Sequence, residues 1–393
     1  MNALLLVASL VIGFGISFLV PSEGVPALLL CLALTLVACY LVASVELEKR
    51  FLLQVFLAAL LMRLIIGTAI FFFSLQNFFG GDAITYDVLG QWAINIWEGK
   101  DTYENTLARY DVAWGMPYLV GVIYWVLGRN MLAVQFFNAI LGAATAPIIF
   151  LCAQHIYGNL RVSRLATLFV AFYPSLALWS SQGLKDGPLV FLLAVSMLAT
   201  LRLGERFNLK YLVILVASLL GIFSLRFYIF YIMLAAISVS FIIGMTALSA
   251  QGLVRQFIII IAIGLAMTYL GVIQRVQTQV EIYGNAAAIQ NIRADLTERS
   301  QSSFGKDVDV STTGGALSAI PLGMLYLLFA PFPWQLASLR QSITFPEMVV
   351  WWVSFPVLVM GLWFTLKYRM RQALPILIFT TMLTLSYSVF QGN

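Results

Sequence analysis

Residues 51–79 read FLLQVFLAALLMRLIIGTAIFFFSLQNFF, an apolar run in which Arg63 is the sole charged residue. A helix must present about 20 apolar residues to cross a bilayer, because backbone polar groups in hydrocarbon have to be hydrogen-bonded within their own segment. Similar runs recur along the whole chain, which is 61% hydrophobic and 10% charged, whereas soluble proteins average about 25% charged residues. The sequence therefore predicts an all-α, polytopic integral membrane protein.

The apolar segments on either side of this run predict about 11 to 13 membrane helices. Spans are predicted at about 3–20, 25–44, 51–76, 131–154, 165–180, 188–203, 211–225, 227–248, 256–273, 346–366 and 373–390. Two other apolar stretches are expected to be only half-embedded, since 116–128 is too short to cross. The second, 316–333, is expected to be broken by Pro321, Pro331 and Pro333. We divide the chain into two additional N-terminal helices, residues 1–50, and a membrane domain, residues 51–393.

The basic loops orient these segments, because short loops rich in Lys and Arg stay in the cytoplasm. This rule assigns four groups of residues to the cytoplasm: Arg161 and Arg164; Arg202, Arg206 and Lys210; Arg255; and Lys367, Arg369 and Arg371. The polar segments 76–115, 180–187 and 274–315, together with Arg226, then share the opposite side. The net charge of +5 reflects this topology and indicates no nucleic-acid partner. The expected location is the cell inner membrane, with these polar segments facing the periplasm.

The segment 76–115 is the most acidic part of the chain. Its acids are Asp82, Asp87, Glu98, Asp101, Glu104 and Asp111, against the bases Lys100 and Arg109. Asp82 and Tyr86 would share one face of a helix. The cluster of acids near the lipid boundary favours a functional role for Asp82, with Tyr86 a candidate for substrate binding. Asp87 is a further candidate for substrate binding. The alternatives are that Asp82 caps a helix and that Asp87 is a solvated neighbour.

Three cations of the other predicted outer segments are candidate site residues. Lys185 and Asp186 are adjacent between two apolar spans, where charge is costly unless it is used; the alternative is a solvated loop pair. Arg226 lies among aromatic residues and is suited to bind a phosphate through two parallel hydrogen bonds. Arg293 belongs to a predicted surface helix, 286–296, and is another candidate for substrate binding.

Two further residues have competing interpretations. Arg63 lies in a run longer than one span needs, so we expect its side chain to snorkel to the cytoplasmic interface, although an ionisable residue inside a span is a functional candidate by default. Trp334 follows Pro331-Phe332-Pro333 and is first expected to anchor at the membrane interface. It is also kept as a candidate for stacking on a bound sugar.

The cysteines and the histidine predict no disulfide or metal centre. Cys31, Cys39 and Cys152 lie in apolar runs with no C-x-x-C motif, which is typical of small buried residues. His155 is the single histidine, so a metal site built on histidines is not expected.

Several short motifs occur in a characteristic order. They are Asp82-x-x-x-Tyr86, Trp92-Ala93, Glu98-Gly99, Trp114-Gly115-Met116-Pro117, Tyr157-Gly158 before Arg161, Tyr173-Pro174, Lys185-Asp186 and Pro331-Phe332-Pro333-Trp334. In this order they resemble the glycosyltransferase-C superfamily, specifically the bacterial phospholipid-carrier-dependent enzymes related to protein O-mannosyltransferases and to the aminoarabinose transferases of lipid A. The likeness covers roughly residues 51–390, and the last motif is similar to members found in exopolysaccharide clusters.

The resemblance implies roles for particular residues. Asp82 would be the catalytic base, or the carboxylate ligand of a divalent Mg or Mn ion in metal-dependent members, and Asp186 would be the second outer-loop acid. Ala83 stands where the superfamily often has an acid paired directly with the first Asp. Similar proteins commonly continue beyond the last span into an Arg-containing outer segment, so the domain is expected to be C-terminally incomplete at Asn393.

The expected function is inverting transfer of a sugar from a polyprenyl-phosphate donor to a glycan, lipid or protein acceptor. A carboxylate takes the acceptor proton in such chemistry and cations stabilise the departing lipid phosphate; Asp82 fits the first role, and Arg226 and Lys185 the second. One alternative is a polysaccharide polymerase or ligase that uses a lipid-diphosphate-linked glycan, although the acid-rich segment 76–115 disfavours it. Another is a transporter or flippase, which predicts repeated halves or charges at mid-membrane.

Overall fold

The structure, a computed structural model, describes residues 3–79, 81–103, 107, 114–243, 250–269, 271–272, 290, 313–336 and 339–390. Every regular element within these residues is helical, so the predicted all-α class is confirmed. In chain order the helices are α1 (Ala3–Leu19), α2 (Pro21–Ala43), α3 (Lys49–Phe72), α4 (Gln76–Phe79), α5 (Asp82–Trp97), α6 (Gly115–Leu127), α7 (Met131–Tyr157), α8 (Leu160–Phe172), α9 (Pro174–Ser180), α10 (Asp186–Glu205), α11 (Leu209–Leu225), α12 (Phe227–Ile243), α13 (Ala250–Tyr269), α14 (Thr313–Phe329), α15 (Leu339–Tyr368) and α16 (Met370–Phe390).

Six of the described helices are long and apolar enough to cross a membrane. Their spans are Pro21–Ala43, Lys49–Phe72, Met131–Tyr157, Asp186–Glu205, Gln341–Tyr368 and Met370–Val389. The pair α8 and α9, bent by 52° at its break, passes the same test and would make seven. These helices are those of a polytopic membrane protein. The finer count of about 11 to 13 membrane helices stays a prediction, because the other apolar helices in the described ranges have only 10–17 residues.

The chain divides into two compact units. Unit 1 comprises Met1–Leu201 and Ala217–Phe230, and unit 2 comprises Arg202–Val216 and Tyr231–Asn393. The first two helices therefore belong to the same unit as α3 and α7. The domain boundary suggested at residue 50 stays a prediction.

Helix α7 lies at the centre of unit 1. It packs against α2, α3 and α8, and residues are buried along its whole length. It begins after Asn130, whose side-chain oxygen accepts a hydrogen bond from the backbone N–H of Ala133 at 2.8 Å. It ends at Gly158, whose φ of 62° is the left-handed conformation that favours glycine after a helix. The central helix is thus defined at both ends by its own sequence.

Helices α5 and α6 pack closely through glycine. A Cβ atom added to Gly90 would lie 2.8 Å from the Cβ of Val120, and one added to Gly121 would lie 3.0 Å from the Cβ of Ala93. Real Cβ atoms do not approach that closely without displacing their neighbours, so the two helices can meet at this distance only where a side chain is missing. The packing joins the acidic segment to the short apolar stretch that follows it.

One predicted proline break is absent from unit 2. Pro321 lies inside α14, which runs without interruption from Thr313 to Phe329, so the expectation that it breaks this stretch is wrong. A proline removes one backbone hydrogen bond, and membrane helices tolerate this loss when neighbours satisfy the freed groups. The helix does end before Pro331 and Pro333. There the carbonyl of Leu328 accepts a hydrogen bond from the indole N–H of Trp351 at 2.7 Å.

Arg63 does not snorkel to an interface. Its side chain is 1% exposed, and it donates from Nε to Ser180 Oγ at 2.8 Å and from one terminal nitrogen to the carbonyl oxygens of Ala59 (3.0 Å) and Ala171 (2.8 Å). Ala171 lies in the last turn of α8, where the break before Pro174 leaves carbonyls without helical partners. The guanidinium satisfies that broken end, which overturns the snorkelling interpretation.

Candidate functional site

Asp82 begins α5 with an open carboxylate. Gly81 holds the N-cap position, so the alternative interpretation of Asp82 as the capping residue is wrong. The Asp82 side chain is exposed, and no described residue forms a hydrogen bond or ion pair with it. A negative charge in the first turn is favoured by the helix dipole. The carboxylate is therefore held at a fixed place while its oxygens remain available to a ligand.

The loop between α9 and α10 is fixed by a buried amide. Asn138 in α7 is fully buried, and its Nδ2 donates to the carbonyl oxygens of Gln182 at 2.6 Å and Leu184 at 2.7 Å. These two bonds hold the backbone directly before Lys185, which precedes the first residue of α10, Asp186. The start of α10 is thus positioned by the central helix of unit 1.

Arg226 joins this loop to the connection between α11 and α12. One terminal nitrogen of its guanidinium lies 2.7 Å from Oδ1 of Asp186, and the other donates to the hydroxyl of Tyr228 at 2.9 Å. The segment 180–187 and Arg226, which the rule for basic loops places on the same side of the membrane, are thus in direct contact; the side itself stays a prediction. Asp186, expected as a second catalytic acid, instead binds the arginine.

Lys185 faces the first helical turn of α5. Its Nζ lies 6.0 Å from the ring centroid of Tyr86, at the outer limit of a cation–π contact. Burial, reinforced by Arg226, lowers the pKa of Lys185, while Asp186 and Asp82 oppose that change. Burial likewise raises the pKa of Tyr86, with further contributions from Asp82 and Asp186 that Arg226 offsets in part. These mutual effects place five residues from three segments in one electrostatic cluster.

We name Asp82, Tyr86, Lys185, Asp186 and Arg226 the outer cluster. Its two carboxylates and two cations balance in formal charge. Because one carboxylate is bound to the arginine and the other is open, the cluster offers a proton acceptor and two cationic groups at the same end of unit 1. That combination suits a substrate with a hydroxyl to deprotonate and an anionic group to hold.

Asp87 lies outside this cluster although it is on the same helix. Its carboxylate is bound by the guanidinium of Arg129 through Nε at 3.2 Å and through a second, terminal nitrogen. It also accepts a hydrogen bond from the hydroxyl of Tyr124 at 2.5 Å. The substrate-binding role proposed for Asp87 is therefore disfavoured, because the carboxylate joins α5 to α6 and to the turn after it. The sequence interpretation missed both partners, because Tyr124 and Arg129 lie 37 and 42 positions from Asp87 along the chain.

Two other candidates lie elsewhere. Arg293 is outside the described residues, as are most of the segment 274–315 and positions 104–106 and 108–113. Trp334 belongs to unit 2, where it is 77% exposed and stacks on Phe332 with ring centroids 5.1 Å apart. Both the anchoring and the sugar-stacking interpretations of Trp334 remain predictions.

The donor set of the outer cluster does not fit a divalent metal ion. Magnesium and manganese sites need several oxygen ligands with little competing positive charge. Here Asp186 is bound to Arg226, and Lys185 lies close by. In the described ranges no group of three or more His, Cys, Asp or Glu residues could hold a metal. We therefore derive no step through a metal at Asp82.

No family model matches the chain, and neither a curated protein nor a solved structure does.

Proposed function

We propose that the protein is a membrane glycosyltransferase that moves a sugar from a polyprenyl-phosphate donor to a hydroxyl of a glycan, lipid or protein acceptor. The proposal rests on the outer cluster, in which an open carboxylate lies beside two cations in a unit built largely of apolar helices. A lipid-phosphate donor has an apolar tail, which the apolar helices would accommodate, and an anionic phosphate, which the two cations would bind. Transfer of its sugar to a hydroxyl also needs one proton acceptor.

Asp82 is the base in this scheme. The acceptor oxygen attacks the anomeric carbon of the sugar, and its proton passes to the Asp82 carboxylate. The bond between that carbon and the phosphate oxygen breaks, and the electron pair leaves with the lipid phosphate. A single displacement of this kind inverts the anomeric centre. General-base assistance typically contributes about 10²–10⁴-fold to rate.

Lys185 and Arg226 stabilise the leaving group. The donor is a phosphodiester with one negative charge, and the departing monoester carries about −1.5 to −2 at neutral pH. Cations placed where this charge develops lower the barrier more than they strengthen substrate binding. In this scheme Asp186 acts by holding the guanidinium of Arg226, at 2.7 Å, and not as a second acid.

The charge pattern also bears on the two alternatives. A transporter for lipid-linked sugars would use intramembrane charge along a substrate path, but Nε and one terminal nitrogen of the buried Arg63 are engaged by Ser180 and by backbone carbonyls. A polymerase that uses lipid diphosphates would have to place more negative charge than a monophosphate beside Asp82. The monophosphate donor is therefore favoured.

The test is sugar transfer by purified protein from a panel of synthetic polyprenyl-phosphate sugars, with simple glycosides and lipid extracts as acceptors. We expect turnover with at least one donor, and its loss in Asp82→Asn. Glu98→Gln is the matched control, since Glu98 is an acid of the same segment and its contact is an exposed ion pair with Lys100 at 2.6 Å. If the protein elongates lipid-diphosphate glycans and ignores every monophosphate donor, the proposal is wrong.

A further inference from the structure

A cavity of about 530 Å³ lies between α2 and α3 in unit 1. Cys39 and Tyr40 line it from α2, and Arg50, Leu53 and Leu57 line it from α3. Its volume falls within the range of about 300–1,000 Å³ typical of small-ligand sites. Both helices are long and apolar enough to span a membrane, so the cavity opens where lipid would surround the protein.

Arg50 is the cationic wall of this cavity. It is exposed, and no described residue forms an ion pair or hydrogen bond with it. The nearest acid in sequence that could neutralise it, Glu48, instead forms an ion pair with Arg164 at 2.6 Å. The charge of Arg50 is therefore not offset by that carboxylate and is available to an anion.

The start of α3 adds to this anion-attracting character. Glu48 occupies the N-cap position with φ 56° and makes no side-chain capping bond. The Glu48 side chain therefore caps none of the first amide groups of α3, and the positive end of the helix dipole favours a nearby negative charge. Arg50, in the first turn of that helix, adds a full positive charge at the same place.

The rest of the wall suits a hydrocarbon chain. Arg50, Leu53 and Leu57 follow the spacing of one helix face, and about 10 Å separates the first from the last along the helix axis. An anion bound at Arg50 would thus have an apolar strip beside it, running into the membrane. A free inorganic anion would leave that strip unused, whereas a lipid covers both parts.

We propose that this cavity binds an anionic glycerophospholipid, with its phosphate on Arg50 and an acyl chain along Leu53 and Leu57. Lys49 is a second cation at this end of unit 1. Arg164, which pairs with Glu48 here, belongs to a loop that the rule for basic loops assigns to the cytoplasmic side, where anionic headgroups and juxtamembrane cations meet. The site is separate from the outer cluster and stands whether or not the protein transfers sugar.

Cys39 is a natural reporter for occupancy. It is half-buried and lines the cavity, whereas Cys31 and Cys152 are buried and serve as internal references. The purified protein in detergent is treated with N-ethylmaleimide after addition of phosphatidylglycerol, phosphatidylcholine or inorganic phosphate. Alkylation of each cysteine is followed by peptide mass spectrometry. Phosphatidylglycerol should slow modification of Cys39 at least several-fold, phosphatidylcholine should do so less, and phosphate should have no effect.

Three variants distinguish a specific lipid site from general electrostatic attraction. Arg50→Ala should abolish the protection by phosphatidylglycerol, whereas Lys49→Ala should retain it, because Lys49 carries the same charge one residue away but does not line the cavity. Leu57→Trp, which fills the apolar strip, should also remove the protection and covers the case in which Arg50→Ala fails to fold. Equal losses in Arg50→Ala and Lys49→Ala, equal protection by both lipids, or protection by phosphate alone would each overturn the proposal.

Discussion

Helix α5 carries two aspartates whose surroundings differ completely. Asp82, in its first turn, is exposed and has no hydrogen-bond partner within the described ranges. Asp87, little more than one turn later, is bound by Arg129 and by the hydroxyl of Tyr124. A high density of acidic residues therefore does not by itself identify a reactive group. A carboxylate whose acceptor sites are filled holds helices together, whereas one left open can accept a proton.

The change with the largest expected effect is Asp82→Asn. Asparagine keeps the size of aspartate but cannot act as a base at neutral pH. We expect sugar transfer to fall by about 10²–10⁴-fold, equivalent to roughly 3–5 kcal/mol of barrier. Stability should fall only by the lost interaction with the helix dipole, about 0.3–1 kcal/mol. Transfer from a polyprenyl-phosphate sugar, measured beside a thermal-shift assay, checks both expectations.

Asp82 and Asp87 would no longer differ in role if Asp82→Asn left activity intact or mainly lowered stability. Transfer by Asp82→Asn within a few-fold of the wild type would remove this residue from the mechanism and return Asp186 to consideration as the base. A fall in unfolding midpoint as large as the fall in activity would show that Asp82 supports the fold.

The parts of the fold and of the outer cluster that were predictable are those that depend on the sequence of a single segment or on loop charge. Hydropathy identifies the apolar helices, and the spacing of Asp82 and Tyr86 places them on one face, because both are properties of a single segment. The rule for basic loops brought the segment 180–187 to the same side as Arg226. Their ion pair agrees with that expectation.

The sequence did not predict contacts between side chains that are distant along the chain. Arg129 lies 42 positions beyond Asp87, and nothing local pairs them, so Asp87 looked as open as Asp82. The burial of Arg63 depends in the same way on the break between α8 and α9, which frees the carbonyl that it binds. Long-range packing decides such cases, and hydropathy does not report it.

The second prediction tests the close packing between α6 and α5, the helix that carries both aspartates. In Gly90→Ala the new methyl group would lie 2.8 Å from the Cβ of Val120, which cannot move as a flexible side-chain end could. We expect a loss of about 1–3 kcal/mol of stability, since overpacking outweighs the better helix propensity of alanine. Thermal unfolding in detergent measures it. Gly13→Ala is the control, because a Cβ there meets nothing within 4 Å; equal midpoints for the two variants would contradict the close packing.

The third prediction asks whether Asp87 is structural. Asp87→Asn removes the charge that Arg129 and Tyr124 bind, and we expect a stability loss of about 1–2 kcal/mol, reduced because the Arg129 side chain is 54% exposed. Activity per folded protein should change little. The unfolding midpoints of Asp87→Asn, Tyr124→Phe and the double variant form a cycle that isolates the hydrogen bond. A large activity loss with an unchanged midpoint would make Asp87 a member of the site after all.

The smallest expected effect is the pH dependence of phosphate binding, which would distinguish the buried Lys185 from an ordinary surface lysine. Burial and Arg226 lower its pKa, and a lysine binds phosphate only while it is protonated. Affinity for a short-chain polyprenyl phosphate should therefore be retained below that pKa and decline as pH rises through it, by at most about tenfold per pH unit, or roughly 1.4 kcal/mol. Titration calorimetry from neutral to alkaline pH measures this decline in affinity.

Lys185→Arg should abolish the decline, because arginine keeps its charge throughout. Lys100→Arg changes an exposed lysine paired with Glu98 and should leave the decline in place. A decline that persists in Lys185→Arg would assign the titration to another group and leave Arg226 as the phosphate-binding cation.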